Sequence, residues 1–222
     1  MRNCAVRDLG NIEYGEAFRL QQRLVEQRKK GLIPDQLLIV EHPHTVTLGR
    51  NGRKEHLLAD EATLLRAGIS FYPTDRGGDV TYHGPGQVVG YPILDLREWK
   101  RDVVAYVRAV EQVLIDSMRE FGLDAGRVPG WTGVWIHGRK IAAIGVHISR
   151  WITSHGFALN VTTDLSYFRY IVPCGLAQPV TSMRELGVGS GRPEVVASLV
   201  RHFAGTFECE IISAATEMER VL

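Results

Sequence analysis

With 222 residues, 45% of them hydrophobic and 23% charged, the chain can bury an ordinary soluble core without cross-links. Its 26 Lys and Arg against 25 Asp and Glu leave a net charge of +1, too small a basic excess for a dedicated nucleic-acid binder, though not for a local patch that meets an acidic partner. No apolar run nears the roughly 20 residues that cross a bilayer, no secretory h-region opens the chain, and three cysteines without a C-x-x-C pair suggest neither a disulfide framework nor a zinc site.

These exclusions make a cytoplasmic protein without membrane association or metal the expectation. No repeat, low-complexity segment or Pro/Gly/Ser-rich linker divides the chain, so one domain over residues 1–222 is expected. In chain order, Tyr14, Ala17, Phe18, Leu24 and Val25 recur at helical spacing over residues 13–30, and Gly31 supplies a stop. The run 37–40 suits a buried strand, His42-Pro43 forces a turn, and 45–48 reads as its partner strand. Asp60 can cap a short helix ending at Gly68, and 69–74 reads as a strand.

A glycine-dense stretch, 76–87, precedes a strand over 88–94. Asp102 can cap a long helix whose apolar face is Val103, Tyr106, Val107, Val110, Val113, Leu114, Met118 and Phe121, ended by Gly122. Residues 133–136 and 140–148 read as a hairpin joined by His137-Gly138, and 157–161 as a further strand. Ser182 and Glu185 have capping-box spacing, and Pro193 fits the first turn of a last helix with Val195, Val196, Leu199, Val200 and Phe203 inward. Strands arriving in succession with helices between groups predict a mixed α/β (α+β) fold, a mixed β-sheet surrounded by helices.

Three places could carry chemistry. Four glycines between Arg76 and Gln87 either let backbone N–H groups approach a ligand or form tight turns around a strand at 80–82. The stretch is neither a P-loop nor a dinucleotide fingerprint. His83 at its end is either structural or exposed to a ligand. Cys174, between Pro173 and Gly175, lies in a loop, either as a buried thiol or as a nucleophile beside backbone donors. Cys4, expected near a mobile chain end, and Cys209, in an apolar segment, lack such a context. A free thiol titrates near about 8.5, so a nucleophile needs a nearby cation. Lys140 opens a run too apolar to be fully exposed, and is either snorkelling or held for use. Spacing gives no distance from it to Cys174.

The segments RGGDVTYHGPGQVVGYPILDL, GRKIAAIGVHI, SHGFALNVTTDL and IVPCGL, with EHPHTVTLGR and PVTSMREL, together resemble the lipoyl(octanoyl) transferases of lipoate biosynthesis. They are collinear from about Glu41 to Leu186. The resemblance implies a fold similar to the catalytic domain of biotin and lipoate protein ligases. It implies octanoyl transfer from octanoyl-acyl carrier protein to a lysine of lipoyl domains, with 2-oxoacid dehydrogenase complexes and the glycine cleavage H protein as acceptors. By the same resemblance Cys174 is the acyl-thioester nucleophile and Lys140 lowers its pKa, with no cofactor. Arg76, Gly77, Gly78, Asp79, Val80, Thr81, Tyr82 and His83 match substrate-binding segments, as do Ala143, Ile144 and Gly145, and Gly156, Phe157 and Ala158. Asp79 and His44 depart from the family pattern, and bear on fine specificity at most. Val80, Ile144, Val146 and Phe157 are candidate walls of an acyl tunnel, or plain core. A monomer is expected. An ATP-dependent lipoate or biotin ligase and a non-catalytic adaptor for carrier proteins are the rival readings.

Overall fold

The hydrophobic pattern of each strand decides which layer covers it. The computed structural model describes residues 2–172 and 179–213. In chain order these hold β1 (Arg2–Asn11), α1 (Tyr14–Lys29), β2 (Asp35–Glu41), β3 (Thr45–Leu48), α2 (Glu61–Arg66), β4 (Ser70–Pro73), β5 (Val80–His83) and β6 (Gln87–Ile93). There follow α3 (Val103–Glu120), β7 (Gly126–Val128), β8 (Trp131–Ile136), β9 (Arg139–Ser149), β10 (Ile152–Asn160), α4 (Arg192–Phe207) and β11 (Cys209–Ser213). Short 3-10 helices occupy Lys54–His56 and Leu165–Tyr170.

Eight strands form one sheet in the order β11-β1-β2-β6-β10-β9-β8-β7, and β4-β3-β5 form a second, smaller one. β11, β1 and β2 run parallel, and the rest of the large sheet pairs antiparallel. The sheet is covered on both faces, which is why β2 reads as an unbroken apolar run. Leu37 and Ile39 join Val88, Tyr106, Val110, Leu114, Leu199 and Phe203 in the core under α3 and α4. Leu38 and Val40 turn the other way, with Val89, Tyr91 and Ile93, to meet Ala17, Leu24 and Val25 of α1. The mixed sheet surrounded by helices is the fold expected from the sequence.

Several local expectations hold to within a residue or two. Asp60 accepts the Thr63 N–H and Asp102 that of Ala105, so both caps form. His137 and Gly138 both take positive φ, 48° and 73°, which closes the β8–β9 hairpin.

Others are corrected. β3 is not the partner of β2, because β1 and β6 occupy both edges of that strand; it is the middle strand of the small sheet. Val103 is 45% exposed and does not belong to the buried face of α3. Ser182 accepts the Glu185 N–H, but the Glu185 carboxylate turns to Arg139 and Thr181, so a turn forms and not a helix. β10 starts at Ile152, five residues before the expected Phe157, because Arg150 and Trp151 close a hairpin at φ 51° and 68° without glycine. β1, β7 and β11 were not anticipated. Cys4 does not sit at a mobile end; it is fully buried in β1, close to Cys209 of β11.

A buried charge network closes the end of the sheet away from the small one. Arg28 donates to Asp35 at 2.9 Å and to Glu98 at 2.7 Å and lies 3.6 Å from Asp95, while Arg2 reaches Asp35 at 3.1 Å. Burial lifts the Asp35 carboxyl above its usual range, with the Asp95 N–H and the two arginines opposing. Arg28→Met keeps the stem but removes Asp35's nearest cation, and is expected to lower the unfolding free energy in urea titration by about 3–5 kcal/mol. A loss under about 1 kcal/mol, the range of an exposed pair, would contradict this.

Candidate active site

Two sheets of unequal size meet along the loop after β4, and the cleft lies at that seam. Arg76 is buried and donates to the Thr47 carbonyl at 2.8 Å and to Thr47 Oγ1 at 2.9 Å on β3. The Gly77 N–H donates to the Val146 carbonyl of β9 at 2.8 Å. The loop backbone also zips to the turn after β3, with Arg50 N–H on the Arg76 carbonyl at 2.9 Å and Gly49 N–H on that of Asp79 at 3.2 Å. This approach needs glycine at 145, where a Cβ would lie 2.8 Å from the Gly77 carbonyl and 3.2 Å from Arg76 Cδ.

The cleft so formed lies between β5, β9 and β10. Of the expected residues, Arg76, Gly78, Asp79, Val80, Thr81, His83, Ala143, Ile144, Gly145, Gly156, Phe157 and Ala158 line it. Gly77 and Tyr82 do not. Gly77 serves as the backbone tie to β9. Tyr82 alternates to the other face of β5, where its hydroxyl lies 2.7 Å from His44 Nδ1 and its ring packs against Tyr167 and Phe168. Val146 does not line the cleft either; it packs on the core under α3 and α4. Tyr14, Val89, Tyr91 and His155 do line it and were not anticipated.

One wall is polar yet uncharged. Ile12's carbonyl can only accept, so His42 donates through Nδ1 at 2.7 Å and takes the Tyr91 O–H on Nε2 at 2.7 Å. His83 donates through Nδ1 to Gln87 Oε1 at 2.9 Å, because the Gln87 amide is committed to the Tyr82 carbonyl and Asn160 Oδ1. Burial holds the His42 pKa down to about 4 against its bond to Ile12. Burial, reinforced by His42 and Arg76, holds His83 down to about 3. Burial also lifts the Tyr14 hydroxyl to about 12. His155 lies 2.7 Å from Asp75, and burial lowers its pKa although Asp75 opposes. Neutral rings beside Val80, Val89, Ile144 and Phe157 suit an apolar chain, not an ion.

Lys140 lines two hollows that border this cleft. It lines a recess with Thr81, Gln87, Ala143, Ala158, Asn160, Phe168 and Val180. It also lines a wide groove with Arg53, His56, Gly78, Asp79, Trp131 and Ile144. Thr81, Ala143 and Ala158 belong to cleft and recess alike, and Gly78, Asp79 and Ile144 to cleft and groove. Lys140 is only 7% exposed, and its Nζ stands 4.7 Å from the centre of the Trp135 ring. Its N–H donates to the Pro179 carbonyl at 2.9 Å, and the Val172 N–H donates to the His56 carbonyl at 2.7 Å. Asp79 accepts the His56 imidazole and the Arg53 N–H. Cys174 lies outside the described residues. Among the described residues no group of three or more His, Cys, Asp or Glu gathers as a metal site.

The profile of the lipoyl protein ligase A/B catalytic domain matches residues 13–204. The octanoyltransferase of Solibacter usitatus (strain Ellin6076) is 62% identical over 216 residues, covering 97% of this chain and 98% of that one. The octanoyltransferase of Koribacter versatilis (strain Ellin345) is 50% identical over 214 residues, covering 93% and 85%. A solved structure of a bipartite lipoate protein ligase and its E2 lipoyl domain from Thermoplasma acidophilum is similar with a TM-score of 0.75 at 19% identity, covering 100% of this chain and 91% of that one. At that identity the likeness is one of fold.

The neutral imidazoles carry a pH signature. Their folded pKa values, about 3 for His83 and about 4 for His42, lie below the ordinary 6.5. Between those limits the unfolded chain binds protons that the folded chain does not, so stability falls as pH drops through about 6.5. Urea unfolding is expected to lose about 2 kcal/mol per imidazole between pH 8 and pH 5. His83→Gln should remove one such share, and a variant with the wild-type slope would contradict the assignment.

Proposed function

The chain belongs to the lipoyl protein ligase A/B catalytic domain family, and from that membership we propose that it carries octanoyl from acyl carrier protein to lipoyl-domain lysines through a thioester on Cys174. Octanoyltransferase is the name of the relatives that the chain matches over 98% and 85% of their length, and we place that transfer in lipoate biosynthesis. The chain is thus an acyltransferase. The acceptors are lipoyl domains of 2-oxoacid dehydrogenase complexes and the glycine cleavage H protein, and the reaction takes place in the cytoplasm on one polypeptide domain.

The observation that carries the Cys174 assignment is the anchoring on both sides of it. Val172 is bonded to His56 and Pro179 to Lys140, and both partners face the same groove. Cys174 is two residues from the first anchor and five from the second, so its reach is at most about 7 Å and about 18 Å from them. The cleft adjoins that groove at Gly78, Asp79 and Ile144, and it would offer an apolar chain a place near Lys140.

In the first step the Cys174 thiolate attacks the octanoyl carbonyl of the donor, the bond to the carrier sulfur breaks, and the Lys140 ammonium gives that sulfur its proton. In the second the acceptor lysine's amine attacks the new thioester, Lys140 takes the amine's proton, and the Cys174 thiolate is released. Exchange of one thioester for another is nearly balanced, and formation of the amide runs downhill. No nucleotide enters the sequence. Arg76, Thr81, His83, Ala143 to Gly145 and Gly156 to Ala158 hold the acyl chain and the reacting carbonyl, and Asp79 holds the rim through His56 and Arg53.

Cys174→Ala is expected to abolish the octanoyl-enzyme seen by intact mass spectrometry after mixing with octanoyl-carrier protein. An unchanged adduct on that variant would remove the mechanism, and acylation supported by free octanoate plus ATP would point instead to a ligase. Lys140→Arg keeps the charge but can neither give the carrier sulfur a proton nor take one from the amine, so adduct formation should slow and delivery to the acceptor should fall about 10²-fold. Wild-type delivery would limit Lys140 to an electrostatic role.

A further inference from the structure

The outer half of the Lys140 side chain lies against β8. The pairing of β8 with β9 shifts register between Val134 and Trp135, so Trp135 stands directly opposite Lys140. Gly133, just before the shift, takes φ 127°, a conformation open to glycine and strained for other residues. A Cβ there would lie 2.8 Å from the Ala142 carbonyl and 3.3 Å from Lys140 Cε, so the lysine stem lies over the place that a side chain at 133 would fill. The Gly133 N–H is in turn held at 3.2 Å by Glu111, a fully buried carboxylate of α3 that also accepts from Arg108 and Arg127. The stem is thus confined by backbone, and the ammonium stands 4.7 Å from the centre of the Trp135 ring. Trp135 is itself buried, and its Nε1–H has no hydrogen-bond partner among the described residues. The indole donor is spent on nothing there; what the residue offers its neighbour is a ring face.

We propose that Trp135, seated by the β8 bulge that Gly133 opens and Glu111 anchors, is a positioning residue that holds the Lys140 ammonium at the junction of cleft and groove through a cation–π contact. The ring's negative face attracts the ammonium and restricts where it stands. For the transfer this means that a neutral aromatic side chain helps to set the cation that meets the nucleophile. This consequence rests on the reading of Lys140 and Cys174 given above. The restraint on Lys140 itself does not.

Two measurements on the full chain separate these levels. Lysines labelled with ¹³C at Cε give few signals, because the chain has five, and Lys140 is the buried one. The Lys140 signal, assigned by its loss in Lys140→Arg, is expected upfield from the Trp135 ring current and to return to the ordinary position in Trp135→Leu. Trp135→Phe keeps a weaker ring face and should fall between, and it serves where the leucine variant unfolds. A Lys140 signal that is not shifted upfield, or that keeps its place in both variants, overturns the proposal.

The second measurement is the rate at which iodoacetamide alkylates Cys174 at pH 7, read by peptide mass. Trp135→Leu should slow it by about three- to thirtyfold, the range of a desolvated cation–π contact, and should add nothing in a Lys140→Met background. If Lys140→Met alone leaves the rate unchanged, the role of Lys140 toward Cys174 fails while the ring-current result still decides the Trp135 restraint. If Lys140→Met slows alkylation and neither Trp135 variant does, Trp135 has no part in placing the charge.

Discussion

The seam between the two sheets governs everything else in this molecule. The three-stranded sheet packs a core of its own, with Val46, Leu64, Ile69, Val80 and Tyr82 in it, and the loop from Arg76 to Asp79 ties it to the large sheet. Arg76 fastens that loop to β3, and the Gly77 N–H fastens it to β9. Because backbone meets backbone, Gly145 must lack a side chain, and so must Gly156, whose Cβ would collide with the Gly90 carbonyl on β6. The cleft exists because these close approaches leave space beside them. It is a consequence of how the sheets are joined.

The chemistry follows from what surrounds that space. Tyr14, His42, His83 and Tyr91 pack ring against ring, with His42 bonded to Tyr91 and His83 to Gln87, and this wall is uncharged at neutral pH. An acyl chain can lie against such a surface without displacing an ion. Charge stands apart from that wall, at Arg76, which is tied to Thr47, and at Lys140, which lines both neighbours of the cleft. This separation suits a reaction in which an inert chain must be held still while its carbonyl changes partners.

Much of this was legible in the residues. Asp60 and Asp102 announced their helices because a carboxylate cap is a local device. The run 37–40 announced a strand covered on both faces. The glycine-dense stretch at 76–87 stood out because close backbone approach selects for glycine. Alternation along β5 turns Thr81 and His83 to the cleft and Tyr82 away, a distinction that matching the segment as a block could not make. Other features carried no local signal. β1 holds Arg7 and Asp8 among its apolar residues and is a strand because β2 and β11 flank it. The Arg150-Trp151 hairpin uses left-handed backbone without glycine or asparagine. Tyr14 and His155 come to the cleft from distant elements, and no spacing within either segment says so. The function was legible only through the resemblance of whole segments to a family, since neither Cys174 nor Lys140 declares its partner by position.

The most direct test of the account is a crystal structure of the protein trapped with octanoyl on its nucleophile. The predicted result is an acyl chain lying between β5, β9 and β10, joined to the sulfur of Cys174, with Lys140 Nζ within hydrogen-bonding distance of that thioester. A chain bound elsewhere, or a Cys174 sulfur facing away from Lys140 with the chain attached, would contradict it.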